Sequence, residues 1–128
     1  MTRKTGYWLL AILWTSTIIF LLCMPGSKVP KTAGSFKFPP GTDMAVHVVL
    51  FAVLQILWVR SVQQEYAPSA RIAFYIIAFG IIMEFIQHFF VPNRSFEWED
   101  IVADIAGVLI GNFFLKHWWK AAQNKKPL

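Results

Sequence analysis

Residues 7–24 form a run of eighteen residues without a single charge, closed by Pro25-Gly26. At a rise of 1.5 Å per residue a helix of that length spans about 27 Å, close to the ~30 Å hydrocarbon thickness of a bilayer. A soluble chain of 128 residues has no interior large enough to surround such a helix on all sides. Three further apolar runs follow, at 44–62, 72–91 and 101–119. The chain is therefore expected to be all-α: one domain over 1–128, built as a bundle of four transmembrane helices. The second run is the weakest of the four, because His47 and Gln55 interrupt it and a re-entrant helix would also fit. The fourth carries Asp104 and ends in His117-Trp118-Trp119-Lys120, an aromatic belt with a basic anchor.

The first run is read as a retained helix, although Arg3 and Lys4 precede it as they would a secretory signal. It is long for a signal, no A-x-A site follows, and other apolar runs come after it. The single cysteine, Cys23, excludes an internal disulfide and a multi-thiolate metal site.

A net charge of +5 would suggest nucleic acid in a soluble protein. With a hydrophobic fraction of 56% and only 15% charged residues, a membrane accounts for it better, and no nucleic-acid partner is expected. If the N-terminus is inside, the cytoplasmic segments hold Arg3, Lys4, Arg60, Arg71, Lys116, Lys120, Lys125 and Lys126. Lys28, Lys31, Lys37 and Arg94 are left outside, so eight against four favours both ends in the cytoplasm. Six of the seven acids, all but Glu65, then fall in or beside the outer loops.

That topology brings the polar residues of three runs to one depth. Asp43 and His47 open the second helix, Glu84 and Gln87 lie near the end of the third, and Asp100 and Asp104 open the fourth. Each pair is spaced i,i+4 or i,i+3 and so shares a helical face. Gly107 and Gly111 continue the Asp104 stripe as a G-x-x-x-G, and Gly80 stands one turn from Glu84. Small residues there allow close helix contact, within the chain or in a homo-oligomer. Glu84 lies about 10 Å inside its helix end, where an unpaired carboxylate costs at least ~2.5 kcal/mol. Arg94 is the expected partner; a protonated Glu84 bonded to Gln87 or His47 is the alternative.

Three functions compete for this constellation. Asp43, His47, Glu84, Gln87, Arg94, Asp100 and Asp104 can form a binding site open to the outer leaflet. They can serve a membrane-embedded hydrolase or metal-dependent enzyme acting on a lipid headgroup. They can also be polar glue in a structural subunit. Catalysis is the weaker reading: there is no H-E-x-x-H, no phosphate-cradling loop and no Ser or Cys nucleophile in a recognisable setting. No catalytic residue, metal ligand set or cofactor is assigned.

These residues resemble the VanZ-like family of small bacterial membrane proteins, named for a teicoplanin-resistance determinant. The family opens helix two with Asp-Lys-x-x-His, matched here by Asp43 and His47. It follows with Glu-x-x-Gln, matched by Glu84 and Gln87, then an Arg six residues before an Asp, matched by Arg94 and Asp100. Asn, Gly and Gly come four, seven and eleven residues later, where this chain has Asp104, Gly107 and Gly111. Met44 in place of the family lysine and Asp104 in place of the asparagine make the site up to two charges more acidic. The resemblance implies a multi-pass protein of the bacterial cytoplasmic membrane and cell envelope, associated with antibiotic resistance. Its implied partners are membrane lipid and a lipid-linked envelope precursor or glycopeptide.

The orientation is tested by cysteine labelling in a Cys23→Ala background. Cysteine at Ser35 or Ser95 should react with an impermeant thiol reagent in intact cells, and cysteine at Ser69 should not. Labelling at Ser69 alone would invert the topology.

Overall fold

A computed structural model describes residues 3–25, 32–33, 36–37, 41–62 and 67–125. Its helices are α1 (Arg3–Leu22), α2 (Thr42–Val62), α3 (Ala70–Phe90) and α4 (Trp98–Asn124). Between α1 and α2 a two-residue antiparallel ladder pairs Thr32 with Lys37 and Ala33 with Phe36. Helices α1, α2 and α3 are each long and apolar enough to cross a membrane. The expected second helix is one continuous element of 21 residues, about 31 Å long. Helix α4 has 27 residues, with Asp104, Asn112 and Lys116 interrupting its apolar stretch. Ser35 lies outside the described residues.

The outward faces are what a lipid solvent requires. Leu13, Phe20, Phe74, Ile82, Leu109 and Phe113 are all well exposed, whereas His47, Gln55, Glu84, Gln87, Asp100 and Asp104 are buried. Hydrocarbon offers no hydrogen bonds, so polar groups turn to one another inside the bundle. The hydroxyls of the first run follow the same rule: Thr15, Ser16 and Thr17 each donate to the carbonyl four residues earlier.

Helix α2 is the central element, and its most extensive partner is α4. His47, Phe51 and Gln55 recur at i, i+4 and i+8 and form the α2 face turned to that partner. On α4, Asp104, Gly107, Val108, Gly111 and Leu115 form the opposing buried stripe. A Cβ on Gly107 would collide with the Val48 carbonyl and reach Phe51 Cβ at 3.1 Å. One on Gly111 would stand 2.7 Å from the Ala52 carbonyl. The two backbones meet with no room between them for a methyl group. The G-x-x-x-G face is thus buried against α2 within one chain.

Two ends of the bundle follow from the alternating helix directions. The His47 end holds the starts of α2 and α4 and the ends of α1 and α3. The Ser69 end holds the rest. Ser69 itself is buried and caps α3, its hydroxyl accepting from the Ile72 amide at 3.1 Å. A silent cysteine there would report burial as well as sidedness, so exposed Gln123 is the better reporter for that end.

Gly107→Ala is expected to lower stability by about 1–3 kcal/mol through overpacking, with Gly107→Leu worse. Thermal unfolding in detergent checks this: an unchanged midpoint for Gly107→Ala would contradict the close α2–α4 contact.

Candidate functional site

His47 occupies the centre of the polar end. Its Nδ1 donates to Asp104 Oδ1 at 2.8 Å, and its Nε2 lies 3.7 Å from Asp100 Oδ2. The two carboxylates are one α4 turn apart, so a single imidazole faces both. Asp104 reaches this position because α3 has no side chain opposite it. A Cβ on Gly80 would lie 2.8 Å from Asp104 Oδ2 and 3.0 Å from the Phe51 ring. Phe51, fully buried, stacks beneath His47 with ring centroids 6.4 Å apart. A buried charge in such a setting is tolerable only when paired, and His47–Asp104 is a pair. With both nitrogens facing carboxylates, the His47 ring has none turned to a substrate, which counts against it as a general base.

The expected Glu84–Arg94 pair does not form. Glu84, only 1% exposed, accepts from the Glu97 amide at 2.7 Å. It thereby fixes the residue at which α4 begins, whose own side chain makes no cap bond. Arg94 turns the other way: Nε donates to the Met24 carbonyl at 3.0 Å and Nη2 to that of Leu21 at 3.3 Å. Gln87 joins it, with Nε2 donating to the Leu22 carbonyl at 2.8 Å. The reason is local. Helix α1 ends with no basic residue in its last turn, and its final carbonyls need donors. A cation at that negative helix end satisfies the dipole and the hydrogen bonds together. The alternative partners proposed for Glu84, Gln87 and His47, are likewise engaged elsewhere.

Around the mouth of the cluster lies a second ring of acids. Asp43, Glu97 and Glu99 are exposed there, so Asp43 stands on the rim and makes no pair with the buried His47. Partial burial raises the Glu97 carboxyl above the usual glutamate range. The neighbouring Asp100, Asp43 and Glu99 add to this, while a Ser95 hydrogen bond opposes it. Asp100 is 7% exposed, and its Oδ1 is buried without a hydrogen-bond partner among the described residues. Among those residues no three His, Cys, Asp or Glu side chains converge as metal ligands. His88 stays outside the cluster, exposed and packed edge-on to Phe89 at 4.7 Å.

Sequence reasoning missed a second polar node near the Ser69 end. Gln55 Nε2 donates to the Ser69 carbonyl at 3.1 Å and to Asn112 Oδ1 at 2.9 Å. Asn112 Oδ1 also accepts from the Ser69 amide at 3.3 Å. The available signal was an amide in each of two apolar runs, Gln55 lying two turns beyond His47 on one face.

Because Glu84 and Arg94 hold different helices, Arg94→Ala and Glu84→Leu should destabilise independently. Each should cost about 1–3 kcal/mol, with the double variant near the sum to within ~0.5 kcal/mol. A coupling well above ~1 kcal/mol in that cycle would restore a direct pair.

The VanZ/LLP1 family model matches residues 7–120, which include every residue of the cluster. No curated protein and no solved structure matches the chain. With most of its length matched and three helices able to cross a membrane, the chain belongs to the VanZ/LLP1 family.

Proposed function

We propose that this is a multi-pass protein of the bacterial cytoplasmic membrane, with four spans, both termini inside and the His47 end outside. Its function is to bind an amphipathic envelope molecule, lipid-linked or of glycopeptide type, through an amine held at that end. Its place in the cell envelope and a bearing on antibiotic sensitivity follow from this reading.

The observation that carries the proposal is Asp100. Every other buried polar side chain of the cluster has an internal hydrogen bond: His47 with Asp104, Glu84 with the Glu97 amide, Gln87 with Leu22. Asp100 Oδ1 has none, and Asp43, Glu97 and Glu99 surround its mouth with further negative charge. Arg94 gives its hydrogen bonds to the Leu21 and Met24 carbonyls and none to these acids, although its charge is felt at Asp100. Met44, where the family pattern has lysine, leaves the first turn of α2 without a cation beside Asp43. Such a site favours an ammonium donor and repels a phosphate or carboxylate.

Asp104 is not the residue with which to test this, because its charge is engaged by His47. Asp104→Asn should lower stability, whereas Asp100→Asn should leave the thermal midpoint near wild type. A full charge at 4 Å is worth about 4 kcal/mol at an effective dielectric of ~20, and a third of that is about tenfold in affinity. Purified protein in nanodiscs should therefore bind an amine-bearing lipoglycopeptide at least about tenfold more weakly as Asp100→Asn. N-acetylating the amine should have a similar effect on wild type. Equal affinity for the free and acetylated ligand would sink the proposal.

A further inference from the structure

At the Ser69 end α1 and α3 part company. Gln87 and Arg94 tie α3 and its following turn to the end of α1, but elsewhere the two helices barely touch. The gap is a groove of about 300 Å³ between α1, α2 and α3. Its wall is formed by Thr15, Leu54, Trp58, Ile72, Ile76 and Phe79. Val62 and Tyr75, both more than half exposed, stand at its lip.

Among the described residues, nothing inside the groove offers a polar ligand a free hydrogen bond. Trp58 Nε1 donates to Thr15 Oγ1 at 3.0 Å, and the Thr15 hydroxyl donates to the Ala11 carbonyl at 2.7 Å. The occupant must therefore be hydrocarbon. Ile72, Ile76 and Phe79 recur along one α3 face, so the groove follows the helix axis for about 10 Å. That is roughly two thirds of the hydrocarbon depth of one leaflet, and it runs in the direction of a lipid chain.

The charge at its open end selects the headgroup. Arg71 is exposed one turn before Tyr75 on the same α3 face, at the positive end of the helix. Arg3, Lys116, Lys120 and Lys125 lie toward this end of their helices, while every described acid lies toward the other. An anionic phospholipid meets both demands, with one chain in the groove and its phosphate at Arg71.

We infer that the α1–α2–α3 groove is a binding site for one acyl chain of an anionic phospholipid, anchored by Arg71. The site is distinct from the amine site at the His47 end and does not depend on it.

Native mass spectrometry of purified protein, exchanged against equimolar phosphatidylglycerol and phosphatidylcholine of matched chains, tests the inference. Wild type should retain one phospholipid with about fivefold preference for phosphatidylglycerol, the effect of a single basic contact. Arg71→Gln should keep a bound lipid but lose the preference. Ile76→Trp, which fills the groove, should lose the bound lipid altogether. Ile72→Phe near the mouth repeats the filling with a smaller change, and circular dichroism confirms that each variant is folded. Undiminished lipid in a folded filling variant would overturn the groove as the site. Equal retention of the two lipids by wild type, or a preference surviving Arg71→Gln, would overturn the headgroup assignment.

Discussion

The contact between the α2 and α4 backbones is the constraint on which the rest of this structure depends. Gly107 and Gly111 bring α4 against Val48, Ala52 and Gln55 with no space for an intervening methyl group. Only at that separation can His47 on one helix reach Asp104 on the other at 2.8 Å. The same approach places Gln55 against Asn112 further along the interface. In a bilayer the helices gain little from burying apolar surface, since lipid tails are as apolar as leucine. Close dispersion contact and interior hydrogen bonds must hold the bundle together. The sequence supplies both on one stripe of α4.

From this clasp the polar residues divide by task. Glu84, Gln87 and Arg94 secure helix ends: the first fixes the start of α4, the other two cover the exposed carbonyls of α1. His47 and Asp104 are hydrogen-bonded to each other in the interior. Asp100 is left at the mouth with an unbonded oxygen, inside a ring of acids. The cluster is thus both the glue and the proposed site, with different residues serving each role. The opposite end has the complementary character: basic, apolar in its groove, and suited to lipid. On the proposed reading, an amine-bearing envelope molecule is held at one face while a phospholipid steadies the other.

Much of the fold was legible because its signals are long. A charge-free run at 7–24 and apolar runs at 44–62 and 72–91 have few alternatives, and the helices fall within two to four residues of those limits. Helical spacing also put His47, Glu84, Gln87, Asp100 and Asp104 at one depth, where they are found. Partner choice was not legible. Charge logic pairs Glu84 with Arg94, but the nearest unmet demands are backbone groups: the Glu97 amide capping α4, the Leu21 and Leu22 carbonyls ending α1, and the Met24 carbonyl just beyond it. Those demands come from chain geometry and have no residue type to announce them. The Gln55–Ser69–Asn112 node escaped notice for a related reason: two amides far apart in sequence reveal a contact only once the helices are placed. The G-x-x-x-G was readable as a contact face, but its partner helix was not.

The central claim is that two aspartates one turn apart have different fates: Asp104 is engaged internally and Asp100 is open to a cation. Carboxyl carbon chemical shifts of the two, measured in aspartate-labelled protein in nanodiscs and assigned with single Asp→Asn variants, test it directly. On titration with an amine-bearing lipoglycopeptide the Asp100 signal should move with saturation while that of Asp104 stays in place. Movement of Asp104 to a similar extent, or no movement of Asp100 at saturating ligand, would contradict the account.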